Sequence, residues 1–292
     1  MNFIARPFGV LMEFIYNNLA FHNYGMAIIV FTIFVKLILL PLSVKQQRSM
    51  ERQQAIAPEL EALKNKYKGD NKKMQEEQMN LYSKYNISPM SGCLPMLIQL
   101  PLILIIYQIV RQPLTYIVGL ASDTINRLKD FIVGLGKTVN DEISINAFFL
   151  DGYVDKFHEI AGAGSQLINT RFLKIFDLGL TPKFQFWEYG DQWKVYVPLL
   201  LIPLLAVGTS YLQMWITDRI NNGPKKKKKD SEPSPMAGLA GITKFLPLMT
   251  LVIAFLVPAG LGFYWTVSNI FNILQTILIK KLFNIKKKEG SV

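Results

Sequence analysis

Residues 31 to 42, FTIFVKLILLPL, carry a single charge, the ammonium of Lys36, in a run that a bilayer otherwise accepts. Other apolar runs hold comparable polar residues. Thr32 stands one turn before Lys36, Gln99 lies in a second run, and Thr209 and Gln213 lie four apart in a third with Ser210 beside them. Ser268, Asn272 and Gln275 follow at offsets of four and three in a fifth. Such offsets place side chains on one helical face, so four helices each present a polar strip. The chemistry open to this set is non-covalent: a cation among amides and hydroxyls holds an acidic group and stands in for water. His22 and His158 are isolated, and Cys93 is the only cysteine, which excludes an intrachain disulfide. No HExxH or Cys/His spacing offers a metal site. The sequence therefore suggests no catalytic residue, no metal and no cofactor, and the chain is not read as an enzyme.

Milder readings stay open. Lys36 lies six residues before Leu42, about 9 Å along a helix. A lysine at that depth is able to snorkel to the interface, avoiding much of the roughly 2.5–3.5 kcal/mol cost of a mid-bilayer charge. Ser, Thr, Asn and Gln also join helices as interhelical glue. Glue leaves the ammonium without a carboxylate, since no Asp or Glu occurs in any of the five apolar runs. A hydrated cavity opening toward the cytoplasm accommodates both observations.

The elements that must position these residues follow from hydropathy. Half of the chain is hydrophobic, and its apolar residues gather into runs at 24–42, 93–112, 194–216, 244–259 and 261–281. Runs near 20 residues fit a hydrocarbon core, and helices satisfy their own backbone there. The expected fold is an all-α polytopic membrane protein with five spans. FLPLMTLVIAFLVP, residues 245–258, is about 21 Å long as a helix against a core of about 30 Å, so local bilayer thinning is expected. Residues 1–23 lack the features of a secretory signal and are expected to be retained. Phe8, Leu11, Met12, Ile15 and Leu19 share a helical face that Glu13, Asn17 and Asn18 avoid, as in an external helix lying in the interface; an ordinary packed helix is the alternative.

Charge sets the orientation. Segment 43–92 has nine basic and six acidic residues, segment 217–244 seven and three, and the tail from 280 five and one. The whole formal excess of +11 lies in these segments, which the positive-inside rule makes cytoplasmic. The N-terminus is then outside, and the 282–292 tail is inside. The KKKKK run at 225–229, within loop 217–243, holds topology and meets anionic lipid, with ribosomal RNA contact as the alternative. Within 43–92, Ile56, Leu60, Leu63 and Tyr67 form one seam, and after the turn KGDN, Met74, Leu81 and Tyr85 form another. This predicts a mobile cytoplasmic helical hairpin with Pro58 in the first turn of its first arm. The extracytoplasmic loop 113–193 includes a candidate amphipathic helix, ASDTINRLKDFIVGLGK, and a break at AGAGS. Phe184, Phe186, Trp187, Tyr189, Trp193 and Tyr196 crowd the third span as an aromatic belt.

Several stretches together resemble the YidC/Oxa/Alb membrane insertases: RPFG in the first helix, VKLILLPL before the basic hairpin, NISPMSGCLPMLIQLPLILIIYQ at 86–108, and KFLPLMTLVIAFLVPAGLGFYWTVSNIFNILQ at 244–275. The resemblance covers roughly 1–112 and 172–282 and is similar to the short Gram-positive form. It implies a bacterial plasma-membrane protein with a five-helix core and a hydrophilic groove open to the cytoplasm and lipid. A positive residue in the first span attracts the acidic tail of a nascent membrane protein, and the hairpin recruits the substrate. The Sec translocon and the ribosome are implied as partners. Two departures stand out: Ser88 replaces the family's Asn, and Lys36 replaces its Arg, keeping the charge without the bidentate fork. The stretch near 118–170 matches nothing in the family pattern. A secondary transporter or channel for a small anion is the alternative, though five spans do not divide into repeats. An intramembrane hydrolase is disfavoured by the lack of a Ser/His or paired-Asp arrangement in the spans.

Overall fold

A computed structural model describes residues 2–67, 69–87, 94–222, 245 and 247–289. The Lys run at 225–229, Cys93 and the Ser88 position lie outside the described residues. The fold is mostly helical. It comprises α1 (Asn2–Asn18), α2 (Tyr24–Ile38), α3 (Leu40–Ala55), α4 (Ala57–Lys66), α5 (Asn71–Lys84), α6 (Leu94–Arg111), α7 (Pro113–Tyr116), α8 (Ser122–Gly134), α9 (Glu142–Leu150), α10 (Val154–Ala161), α11 (Trp193–Leu199), α12 (Leu201–Asn222), α13 (residues 247–254) and α14 (Ala259–Glu289). A small antiparallel hairpin, which the sequence patterns do not signal, pairs β1 (Arg171–Phe172) with β2 (Phe176–Asp177).

The chain divides into two compact units. The first is Met1–Val35, Ile103–Gln213 and Glu232–Phe271; the second is Lys36–Leu102, Met214–Ser231 and Asn272–Val292. Among the described residues, Gly190–Ile220 is one helix long and apolar enough to cross a membrane, and α2 with α3 forms a bent pair that qualifies together. The bend falls at Leu39, two residues before Pro41. Proline has no N–H to return to the carbonyl four residues back, and its ring crowds that carbonyl. The expected fourth span is shorter than its apolar run, because residues 255–258 leave the helix before α14 begins.

In the first unit, the segment after α10 stitches together the starts of two long helices. Asn23 caps α2, its Oδ1 accepting from Met26 N at 3.1 Å, while its Nδ2 donates to Arg171 O at 2.9 Å. Tyr24 N donates to Asn169 O. At α14, the amides of Ala259 and Gly260 donate to Leu180 O and Leu178 O, both at 2.8 Å. A helix N-terminus leaves such amides without intrahelical partners, and here neighbouring carbonyls supply them. Gly260 permits this approach, since a Cβ there would meet Leu178 O at 3.2 Å.

The unmatched stretch near 118–170 is folded. Leu114, Leu128, Ile132, Ile145, Phe149 and Phe157 form a core between α7, α8, α9 and α10. Asp141 caps α9 through Ser144 N, and fully buried Asn146 exchanges two hydrogen bonds with the backbone of Ile168. In α1, Met12 and Ile15 are buried, while Leu19 of the predicted face lies just past the helix end and is exposed. Of the six aromatic residues before the third span, Phe184, Phe186, Trp187 and Trp193 are exposed. Tyr189 instead turns inward and stacks on Tyr196.

In the second unit, Ile56 separates α3 from α4, and Pro58 occupies the first turn of α4. Helices α4 and α5 pack on each other around Ile56, Tyr82 and Ile87. Asp70 caps α5, accepting from Lys73 N at 3.0 Å. Tyr82, absent from the predicted seam, is buried, whereas Tyr85 is exposed and donates to Glu59 at 2.5 Å. That bond to a carboxylate raises the Tyr85 hydroxyl above its ordinary pKa. Farther along, Lys280 pairs with Glu51 at 3.1 Å.

Candidate functional site

Lys36 sits near the end of α2, in the second unit, and is only 7 % exposed. Its Nζ donates to Asn272 Oδ1 at 2.9 Å, and among the described residues it has no acidic partner. An ammonium has three donors, so the single amide acceptor found among the described residues leaves two of them unmet. Gln275, three residues beyond Asn272 on α14, is buried, and its Oε1 has no hydrogen-bond partner among the described residues. Lys36 thus keeps donors to spare, and one helical turn along α14 from its amide partner a buried acceptor stands unmet, at the cost an unmade hydrogen bond carries.

The structure resolves the other strip residues differently. In the first unit, Asn269 Nδ2 lies 2.8 Å from Ser210 Oγ, 3.1 Å from Thr209 Oγ1 and 3.3 Å from Ala206 O. Thr209 and Ser210 also bond carbonyls of their own helix. This is a closed knot joining α12 to α14. Thr32 is buried with its hydroxyl returned to Ile28 O at 2.6 Å. Ser268 is buried and Gln213 half-buried. The Gln99 side chain lies outside the described residues, although its position falls within α6.

Asn269 was missed by the sequence reading. The strip Ser268, Asn272, Gln275 passes it by. A parallel strip was nevertheless present three residues apart, Thr266 and Asn269, and Thr266 is buried too. Among the described residues no cluster of His, Cys, Asp or Glu could hold a metal ion.

Comparison with known proteins gives a consistent family. The membrane protein insertase YidC of Wolinella succinogenes is 27% identical over 291 residues, covering 100% of this chain and 39% of that protein. The YidC of Helicobacter pylori is 27% identical over 99% of this chain and 38% of its own length. That of Aquifex aeolicus is 26% identical over 100% of this chain and 42% of its own. The chain thus spans about two fifths of the length of these relatives. The sequence model of the 60Kd inner membrane protein family matches residues 14–288. With that match running along nearly all of its length, the chain belongs to the 60Kd inner membrane protein family, the YidC/Oxa/Alb family that its motifs resemble.

Proposed function

We propose that the protein is an insertase and chaperone for membrane proteins, and that Lys36 is its capture residue. The observation that carries this reading is the buried Lys36 ammonium held by the neutral amide of Asn272 instead of a carboxylate. A carboxylate would cancel the charge, whereas an amide orients it and leaves it available to an acidic segment. Gln275, and Gln99 on α6, replace water for the passing polar chain. Thr32, Thr209, Gln213 and Ser268 belong to the same polar set by sequence, with Thr209 serving mainly to hold α12 to α14. The relatives named membrane protein insertase support the reading.

In this reading five spans cross a bacterial plasma membrane with the N-terminus outside and the C-terminus in the cytoplasm, as the charge distribution requires. The groove opens to the cytoplasm and lipid. Nascent membrane proteins are the substrates, and the basic hairpin, Lys-rich loop and tail face the ribosome or the Sec translocon.

The test is protease protection of a small, acidic-tailed membrane protein synthesised with liposomes containing only the purified chain. Protection that needs the chain and falls with Lys36→Ala supports capture. Protection insensitive to Lys36→Ala and Lys36→Glu removes Lys36 from the mechanism. Absence of protection, together with Lys36-dependent anion uptake by the same vesicles, favours a small-anion transporter.

A further inference from the structure

The first unit contains a cavity of about 450 Å³ unrelated to Lys36. It lies between the end of α6, α8 and the turn into α9. Its lining includes the apolar Leu104, Ile125 and Ile145 and also Tyr107, Arg111 and Lys129.

Arg111 is held in place without being used up. Its Nε donates to Asp141 at 3.3 Å and its Nη1 to Tyr107 Oη at 2.7 Å, with the guanidinium 5.3 Å over the Tyr107 ring. Those two bonds engage two of five N–H donors. The carboxylates in the wall are occupied by the fold itself. Asp141 takes Ser144 N and Oγ as well as Arg111, and Glu142 takes Thr115 N at 2.7 Å and Thr115 Oγ1 at 2.6 Å. Lys129 is exposed and has no ion pair among the described residues. Arg111 and Lys129 therefore keep donors to spare, while the two carboxylates that balance their charge are each tied to the fold.

Position adds the second half of the argument. Arg111 ends the apolar helix α6, so in a spanning α6 it stands where hydrocarbon gives way to water. Leu104, two turns earlier, is exposed. A pre-oriented guanidinium, an ammonium without an ion pair among the described residues, and apolar side chains in the same lining fit an amphiphile with a phosphate head.

We propose that this cavity binds the phosphate of an anionic phospholipid headgroup, with Arg111 and Lys129 as its donors. The proposal rests on reading α6 as a span, and it is independent of substrate capture at Lys36.

The experiment is native mass spectrometry of the full chain released from detergent micelles carrying phosphatidylglycerol or phosphatidylcholine. Selective retention of phosphatidylglycerol is expected, falling about tenfold in Lys129→Ala and in Arg111→Gln, the scale of one charge-assisted hydrogen bond. Arg127→Ala removes the same charge from another face of α8 and should leave retention unchanged. Lys129 is exposed, so its variant stays informative if Arg111→Gln lowers the melting temperature. Equal retention of the two lipids, or retention indifferent to Lys129→Ala, overturns the proposal. Binding of glycerol 1-phosphate as tightly as the lipid overturns the headgroup as the source and assigns the cavity to soluble phosphate esters. No nascent substrate is present, so this result and that of the insertion assay are independent.

Discussion

Asn269 and Asn272 lie three residues apart on α14 and do opposite work. Asn269 spends its amide on Thr209, Ser210 and the Ala206 carbonyl, three acceptors of one neighbouring helix. Asn272 offers its carbonyl oxygen to the Lys36 ammonium, and the next polar residue, Gln275, keeps a buried oxygen without a partner among the described residues. The first cluster is closed and the second is open. Closed polar clusters in a membrane protein hold helices together. An open one with a charge is where the proposed capture of an acidic segment would act. Residue type alone does not separate the two; the inventory of partners does.

The largest effect should come from reversing the charge in the open cluster. Lys36→Glu replaces attraction for an acidic tail by repulsion and is expected to slow insertion about a hundredfold, two charge-assisted hydrogen bonds' worth. Lys36→Arg should retain most of the rate. Protease protection with purified chain in liposomes reads both, and a wild-type rate for Lys36→Glu would erase the distinction between the clusters.

A subtler break leaves Lys36 intact. Asn272→Asp gives the ammonium a carboxylate at the position now held by the Oδ1 atom, closing the open cluster. Insertion of an acidic-tailed substrate should fall about tenfold, while a substrate with a neutral tail is less affected. An unchanged preference between the two substrates would show that the free charge of Lys36 is not what the substrate meets.

The closed cluster should respond in stability and not in rate. Asn269→Ala removes interhelical bonds that average about 0.6 kcal/mol and reach about 1.7 kcal/mol in membrane proteins. A loss of about 1 kcal/mol is expected, read by thermal denaturation, with insertion per folded molecule unchanged. A rate defect larger than the stability loss explains would move Asn269 into the working set.

These differences mark what the sequence could express. The polar strips, the single cation of the 31–42 run and the hairpin seam at Ile56 are visible because helical offsets repeat along the chain. Cross-helix partnership is not, since Asn269 meets Thr209 across 60 positions and no local pattern encodes that register. The bend at Leu39 was announced by Pro41, yet a hydropathy window reads straight through a proline. The stretch near 118–170 stayed opaque for another reason. Its helices are short, and its core residues Leu114, Leu128, Phe149 and Phe157 come from four separate elements, so no single periodic run reveals a shared interior. The stitching of the α2 and α14 starts by residues 169–180 uses backbone carbonyls, which any sequence possesses.

Glu142 offers the finest test, because with Thr115 it forms a second closed cluster, one that contains an ionisable residue. Both of its oxygens accept from Thr115, and burial raises its carboxyl above the ordinary glutamate range despite those bonds. A carboxyl raised on folding is protonated more readily in the folded than in the unfolded chain. Its contribution to stability is thus full below the unfolded value near about 4.3 and is lost as pH rises through the folded value. Glu142→Gln keeps the shape, one acceptor and one donor for Thr115, and removes the titration. The difference in unfolding free energy between wild type and variant should therefore slope with pH across that window and flatten above it, with insertion at neutral pH unaltered. A slope of opposite sign would mean that the Thr115 bonds outweigh burial and hold the folded carboxylate ionised. In that case the closed cluster stores a charge much as the open one does, and only the absence of spare donors separates them.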